Sequence, residues 1–234
     1  MTEMGRDRLV IALDTPGYGD SAHPPEPLTI KAYATALHQG LMSLGCLSEQ
    51  KLDLLGYHTG TLIAVEMAIL HPDTVGRLLL PGIPFYEKER QIETYERLVK
   101  PEMLSPDGSH LDTSWSFATL AMNAGVTLER GQEHFGDLMQ AYPYGWWAYH
   151  GVFTYDGEEQ FPKVTQPILL MTTEASLKAE TEAAQTLFPQ AKLTHFPGLT
   201  YGIFDVGVSQ IATAVRDFLD SPEGDAPFEK RVPQ

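Results

Sequence analysis

The sequence is 234 residues long and 43% hydrophobic, enough for one well-buried domain or for a core domain carrying an insertion. Its 16 Lys and Arg stand against 31 Asp and Glu, a formal net charge of −15. With no basic run, that balance excludes nucleic acid and an anionic membrane surface as partners.

The single cysteine, Cys46, leaves no internal disulfide to form. No apolar run reaches the ~18 residues of a membrane span. The N-terminal residues carry charges of both signs before a short apolar stretch, unlike a signal peptide. These features set the expectation of a cytoplasmic protein.

Residues 8–13 form a short, β-branched-rich apolar run that stops at Thr15-Pro-Gly-Tyr-Gly-Asp-Ser21, and the pattern predicts a buried strand followed by a loop. Ile30, Tyr33, Ala34, Leu37, Leu41 and Leu44 then recur at helical spacing. Thr29 is placed to cap that helix and Gly45 to stop it. A strand is expected over 52–55, an almost wholly apolar helix over 61–70, and a third strand over 75–80. This strand–helix alternation predicts a parallel sheet covered on both faces.

Between 83 and 160 the pattern changes to charged, aromatic-rich helical stretches, near 86–99, 113–123, 128–141 and 146–155. Alternation then resumes, with strands at 167–171 and 191–196 and helices near 177–188 and 209–219. Residues 221–234 are Pro-rich and charged and read as a loose tail. The division expected is an α/β core of 1–82 and 161–220, interrupted by a helical insertion of 83–160.

The segment richest in chemistry is Gly56-Tyr57-His58-Thr59-Gly60, between a strand and a buried helix. A sharp strand-to-helix turn forces its middle side chain into a strained, exposed position, and flanking glycines permit the close packing it needs. The helix behind it aims free amides at whatever lies over the turn. Gly17 and Gly19 lack the third glycine of a dinucleotide loop. The remaining histidines show no metal-ligand spacing, so neither a metal nor a cofactor is expected.

Asp14-Thr-Pro-Gly-Tyr-Gly-Asp-Ser21, Leu54-Leu-Gly-Tyr-His-Thr-Gly60, His71-Pro-Asp-Thr-Val-Gly-Arg-Leu-Leu-Leu80 and Gln166-Pro-Ile-Leu-Leu170 together resemble the α/β-hydrolase superfamily. The resemblance spans about 8–220 and implies that superfamily's mostly parallel sheet with flanking helices, with 83–160 in the place of its cap. It implies a hydrolase of small esters, lactones, amides or carbon–carbon substrates; the alternative is a relative without turnover that binds a small molecule or a protein partner. Its nucleophile position falls on His58, its oxyanion amide on Thr59, its acid nearest Glu174 and its base on Tyr201. His195 takes the base position only in a different register. The resemblance gives Asp14 and Ser21 the shaping of their turn. It also places a further strand and a His-Gly loop upstream of Arg8, so the natural chain is expected to begin earlier.

Tyr57, Trp146, Trp147 and His150 are expected to line a small-molecule pocket beneath the insertion. The oligomeric state is left open, a homodimer included.

Overall fold

The computed structural model describes residues 1–47, 50–101, 103–120 and 125–222. Four parallel strands, β1 (Leu52–Leu55), β2 (Val75–Pro81), β3 (Ile168–Thr172) and β4 (Lys192–His195), form one sheet in the order β1-β2-β3-β4. Helices α1 (Ile30–Ser43) and α2 (Thr59–Leu70) precede β2, while α8 (Lys178–Ala184) and α9 (Val208–Leu219) follow β3 and β4. Between β2 and β3 lie α3 (Lys88–Leu98), α4 (Leu111–Leu120), α5 (Leu128–Gln140), α6 (Trp147–Thr154) and the short α7 (Gly157–Gln160).

Strand alternation explains the two-sided core. Leu78, Leu80, Ile168 and Leu170 point to one face, against Ile30 and Tyr33 of α1 and Leu62 and Val65 of α2. Leu79, Leu169 and Met171 point to the other, against Ile211, Val215 and Phe218 of α9. A parallel sheet buried on both faces needs apolar residues at successive positions, which is what β2 and β3 supply. Helix α2 is apolar nearly all round for the same reason, with every residue from Thr61 to Ala68 buried. Its one carboxylate, Glu66, accepts a 2.9 Å hydrogen bond from the Tyr155 hydroxyl, so the polar group enters the core with a partner.

The N-terminus of α1 is capped as expected, the Thr29 hydroxyl accepting from the Ala32 amide. The helix expected over 113–123 ends at Leu120, and 121–124 lie outside the described residues. Of the tail expected over 221–234, residues 223–234 also lie outside them.

The strand expected over 8–13 is not formed. These residues carry no ladder, and Leu9 is 86% exposed. Only Leu13 packs on the core. The physical reason is that a strand is a property of a pair, and no strand among the described residues lies beside this run. Ion pairs hold the segment instead: Arg8 to Asp220 at 3.1 Å and Arg216 to Asp7 at 2.5 Å. The turn that follows is built as expected. The Asp14 carboxylate accepts from the Asp20 amide at 3.0 Å, and the Ser21 hydroxyl donates to the Asp14 carbonyl at 2.8 Å.

Candidate functional site

All four strands run the same way, so the loops after their C-terminal ends gather at one edge of the sheet, where such folds place their ligands. The turn after β1 carries His58, whose φ of 48° and ψ of −113° make it the one non-glycine residue with positive φ among those described. A side chain held there costs about 1–3 kcal/mol and persists only where its surroundings impose it. They do so here. The His58 amide donates to the Pro81 carbonyl at 3.3 Å, and its carbonyl accepts from the Thr61 amide at 2.9 Å and from the Thr61 hydroxyl.

The two glycines of the turn differ. A Cβ on Gly56 would lie 2.0 Å from the Gly60 carbonyl oxygen, whereas one on Gly60 would meet nothing within 4 Å. Only Gly56 is required for close approach, which corrects the expectation for Gly60. Beyond the turn, the backbone amide of Thr59 opens α2 with no acceptor among the described residues. It is available to a developing negative charge.

The His58 ring lies against Tyr57, at 4.0 Å between centroids, and is 6.0 Å from the ring of Tyr201. Its Cδ2 packs so closely on Gly82 that a Cβ there would stand 2.8 Å away. Burial lowers the pKa of His58 to about 4, so the ring is neutral at pH 7. The linkage follows directly. The unfolded state takes up this proton near pH 6.5, the folded state near 4, so stability falls as the pH drops through that interval, by about 3 kcal/mol in total. Urea unfolding at pH 7 and pH 4.5 should show this loss in the wild type and a smaller one in His58→Gln. Equal losses would show that the ring is not buried as described.

A cleft of about 10 Å³, space for roughly one water, opens beside His58 and is also lined by Tyr57, Gly82, Thr172, Leu177 and Lys178. Of the other expected site residues, Tyr201 faces His58 but its hydroxyl donates to the Ser176 Oγ at 2.8 Å. Glu174 does not reach His58. Its carboxylate lies 2.9 Å from His195 Nε2 and 3.3 Å from Lys178 Nζ, and these two partners lower its pKa. Trp146, Trp147 and His150 are not in the wall of this cleft. The two tryptophans pack on each other, Trp147 also meets Tyr144 and His23, and His150 Nδ1 pairs with the Tyr95 hydroxyl at 3.1 Å.

No family model and no curated sequence matches the chain. Solved structures do. An esterase from Rhodococcus sp. is 18% identical, with a TM-score of 0.75 over 94% of this chain and 83% of that one. A bromoperoxidase from Bacillus anthracis is 19% identical, with a TM-score of 0.73 over 89% and 80%. An α/β-hydrolase enzyme from a deep-sea metagenome library is 16% identical, with a TM-score of 0.66 over 94% and 80%. Strand order, the turn at His58 and these likenesses agree: the chain has the α/β-hydrolase fold.

Proposed function

We infer that the protein is a hydrolase of a small ester, lactone or amide bound beneath residues 83–160, with the His58 imidazole as its nucleophile. The observation that carries this reading is the state of His58: strained, neutral at pH 7, and placed at the turn before the N-terminus of a buried helix. A neutral imidazole attacks an acyl carbonyl directly: the C–N bond forms, the C–O bond breaks, and the departing alkoxide takes up a proton as the ring releases its own N–H proton to solvent, leaving a neutral N-acyl imidazole. The Thr59 amide, aimed over the same turn, supports the oxyanion that forms on the way. The esterase among the similar structures makes an ester the first substrate to try.

The test is hydrolysis of a panel of p-nitrophenyl esters, followed by peptide mapping of the acylated chain. The reading requires turnover and an acyl group on His58. A folded sample that hydrolyses none of the panel would leave the alternative, a relative that binds without turnover. The narrowness of the cleft and the engagement of Tyr201 with Ser176 favour that second reading.

A further inference from the structure

A neutral imidazole that has added to an ester carbonyl competes with the alkoxide to leave again. The tetrahedral intermediate expels the weaker base, and imidazole is a far weaker base than an alkoxide. Unless the leaving oxygen receives a proton as the C–O bond breaks, the intermediate returns to ester and free His58. A cleft that acylates His58 from an ordinary alkyl ester therefore has to hold an acid.

Among the described residues of the cleft wall, the side chains with a proton to transfer are, besides His58, those of Tyr57, Thr172, Thr173 and Lys178. The two threonine hydroxyls are themselves alcohols, no stronger as acids than the alcohol being released. Burial, with the Tyr201 phenol nearby, pushes the Tyr57 hydroxyl well above the usual tyrosine range, and that hydroxyl donates to the Tyr201 carbonyl at 3.5 Å. Lys178, the first residue of α8, is left.

Its surroundings leave the ammonium a proton to give. Nζ lies 3.4 and 3.3 Å from the two Glu174 oxygens, longer than the ~2.7–2.9 Å of a well-made ammonium–carboxylate bond. Glu174 makes its shorter contact, 2.9 Å, to His195 Nε2. An ionised carboxylate only accepts, so the neutral His195 ring carries its proton on Nε2, and Nδ1 accepts from the Thr172 hydroxyl at 3.0 Å. Nε2 is then no acceptor for Lys178, although Nζ stands 3.5 Å from it. Glu174 thus anchors the side chain at the cleft through two ammonium protons, and the third has no acceptor among the described residues.

We propose that Lys178 is the general acid of the acylation step, protonating the leaving oxygen so that unactivated alkyl esters become substrates. The proposal rests on the reading that His58 is acylated. The C–N bond forms as the carbonyl π pair moves onto oxygen, beside the Thr59 amide. When the carbonyl re-forms, the C–O bond breaks and its electron pair takes a proton from Lys178 Nζ. Lys178 is left as a neutral amine and regains a proton from solvent, to which the His58 ring gives up its own N–H proton. The products are the free alcohol, a neutral acyl-His58 and the Lys178 ammonium, with no further reactant consumed.

The test compares two esters that deliver the same acetyl group. p-Nitrophenolate leaves without a proton, whereas ethoxide needs one, and kcat/KM reports the acylation of His58 by each. In Lys178→Met, kcat/KM for ethyl acetate should fall by ~10²-fold or more relative to that for p-nitrophenyl acetate. Lys178→Arg keeps a positive charge beside Glu174, but a guanidinium does not give up its proton, so the same selective loss is expected. Equal falls on the two esters, no fall in Lys178→Met, or wild-type rates on ethyl acetate in Lys178→Arg overturn the proposal, because each leaves Lys178 at most a charge or a structural part. A wild type that is acetylated by p-nitrophenyl acetate and leaves ethyl acetate intact overturns it too. Absence of acetyl-His58 from the wild type after p-nitrophenyl acetate, read by peptide mapping, is a different failure: it sinks the functional reading, and the acid with it.

Discussion

Replacing His58 with Ala is expected to lower ester turnover by ~10²-fold or more, the usual loss when a reacting or proton-transferring side chain is removed. No neighbour can substitute. The ring sits on a turn fixed by the Pro81 carbonyl and by two donors from Thr61, with Tyr57 on one side and Gly82 on the other. Glu174, the carboxylate nearest the end of β3, turns to His195 instead. A second variant separates chemistry from folding. His58→Gly relieves the strain of the positive φ, so it should be more stable than His58→Ala by about 1–2 kcal/mol while equally inactive. Initial rates on p-nitrophenyl acetate, together with urea midpoints of both variants, make the comparison. Wild-type turnover in His58→Ala would end the imidazole mechanism.

The second large effect is expected at Gly56. Its Cα faces the first turn of α2 so closely that an Ala methyl would enter the Gly60 carbonyl, 2.0 Å from the oxygen and 2.3 Å from the carbon. Both are backbone atoms, and neither can swing aside. Relieving the clash means moving α2 off β1, and α2 is buried along most of its length between the sheet and α1. Gly56→Ala should therefore cost at least about 3 kcal/mol, beyond ordinary overpacking and a large part of a domain's total of about 5–15 kcal/mol. Gly60→Ala is the matched control. Its Cβ meets open space, and Ala is the better helix residue by up to about 1 kcal/mol. Chemical denaturation of the two variants should give opposite signs; equal losses would mean that the turn does not pack as described.

The contrast between these glycines marks how far the sequence alone can be read. From Gly56-Tyr-His-Thr-Gly60 the turn and its strained central residue were legible, because β1 and the apolar α2 flank it. Which glycine carries the close approach was not, since that depends on the distance between two backbones. The four strands of the sheet could be read from their apolar runs and the helices between them. Residues 8–13 have the same composition, yet they form no strand, because composition does not supply the neighbouring ladder. His195 stands at the end of an apolar run, and its sequence position gave a weaker claim than Tyr201. The signal for it was register: β3 and β4 end together, and each ends on a residue with a hydrogen-bonding side chain. That signal becomes visible only once the two strands are known to be adjacent.

The outer edge of β1 and the unladdered residues 8–15 also bear on the colloidal behaviour of the protein. Among the described residues β1 has a strand on one side only, Leu55 at its end is half-exposed, and Leu9 and Ile11 of the run are exposed. Two such edges bond only when about 5 Å apart, inside the ~10 Å screening length of 0.1 M salt. The formal charge of −15 opposes that approach in dilute buffer. Salt shortens the range of the repulsion and leaves the hydrogen-bonding edge untouched. Charge thus opposes contact between copies, and an open strand edge favours it.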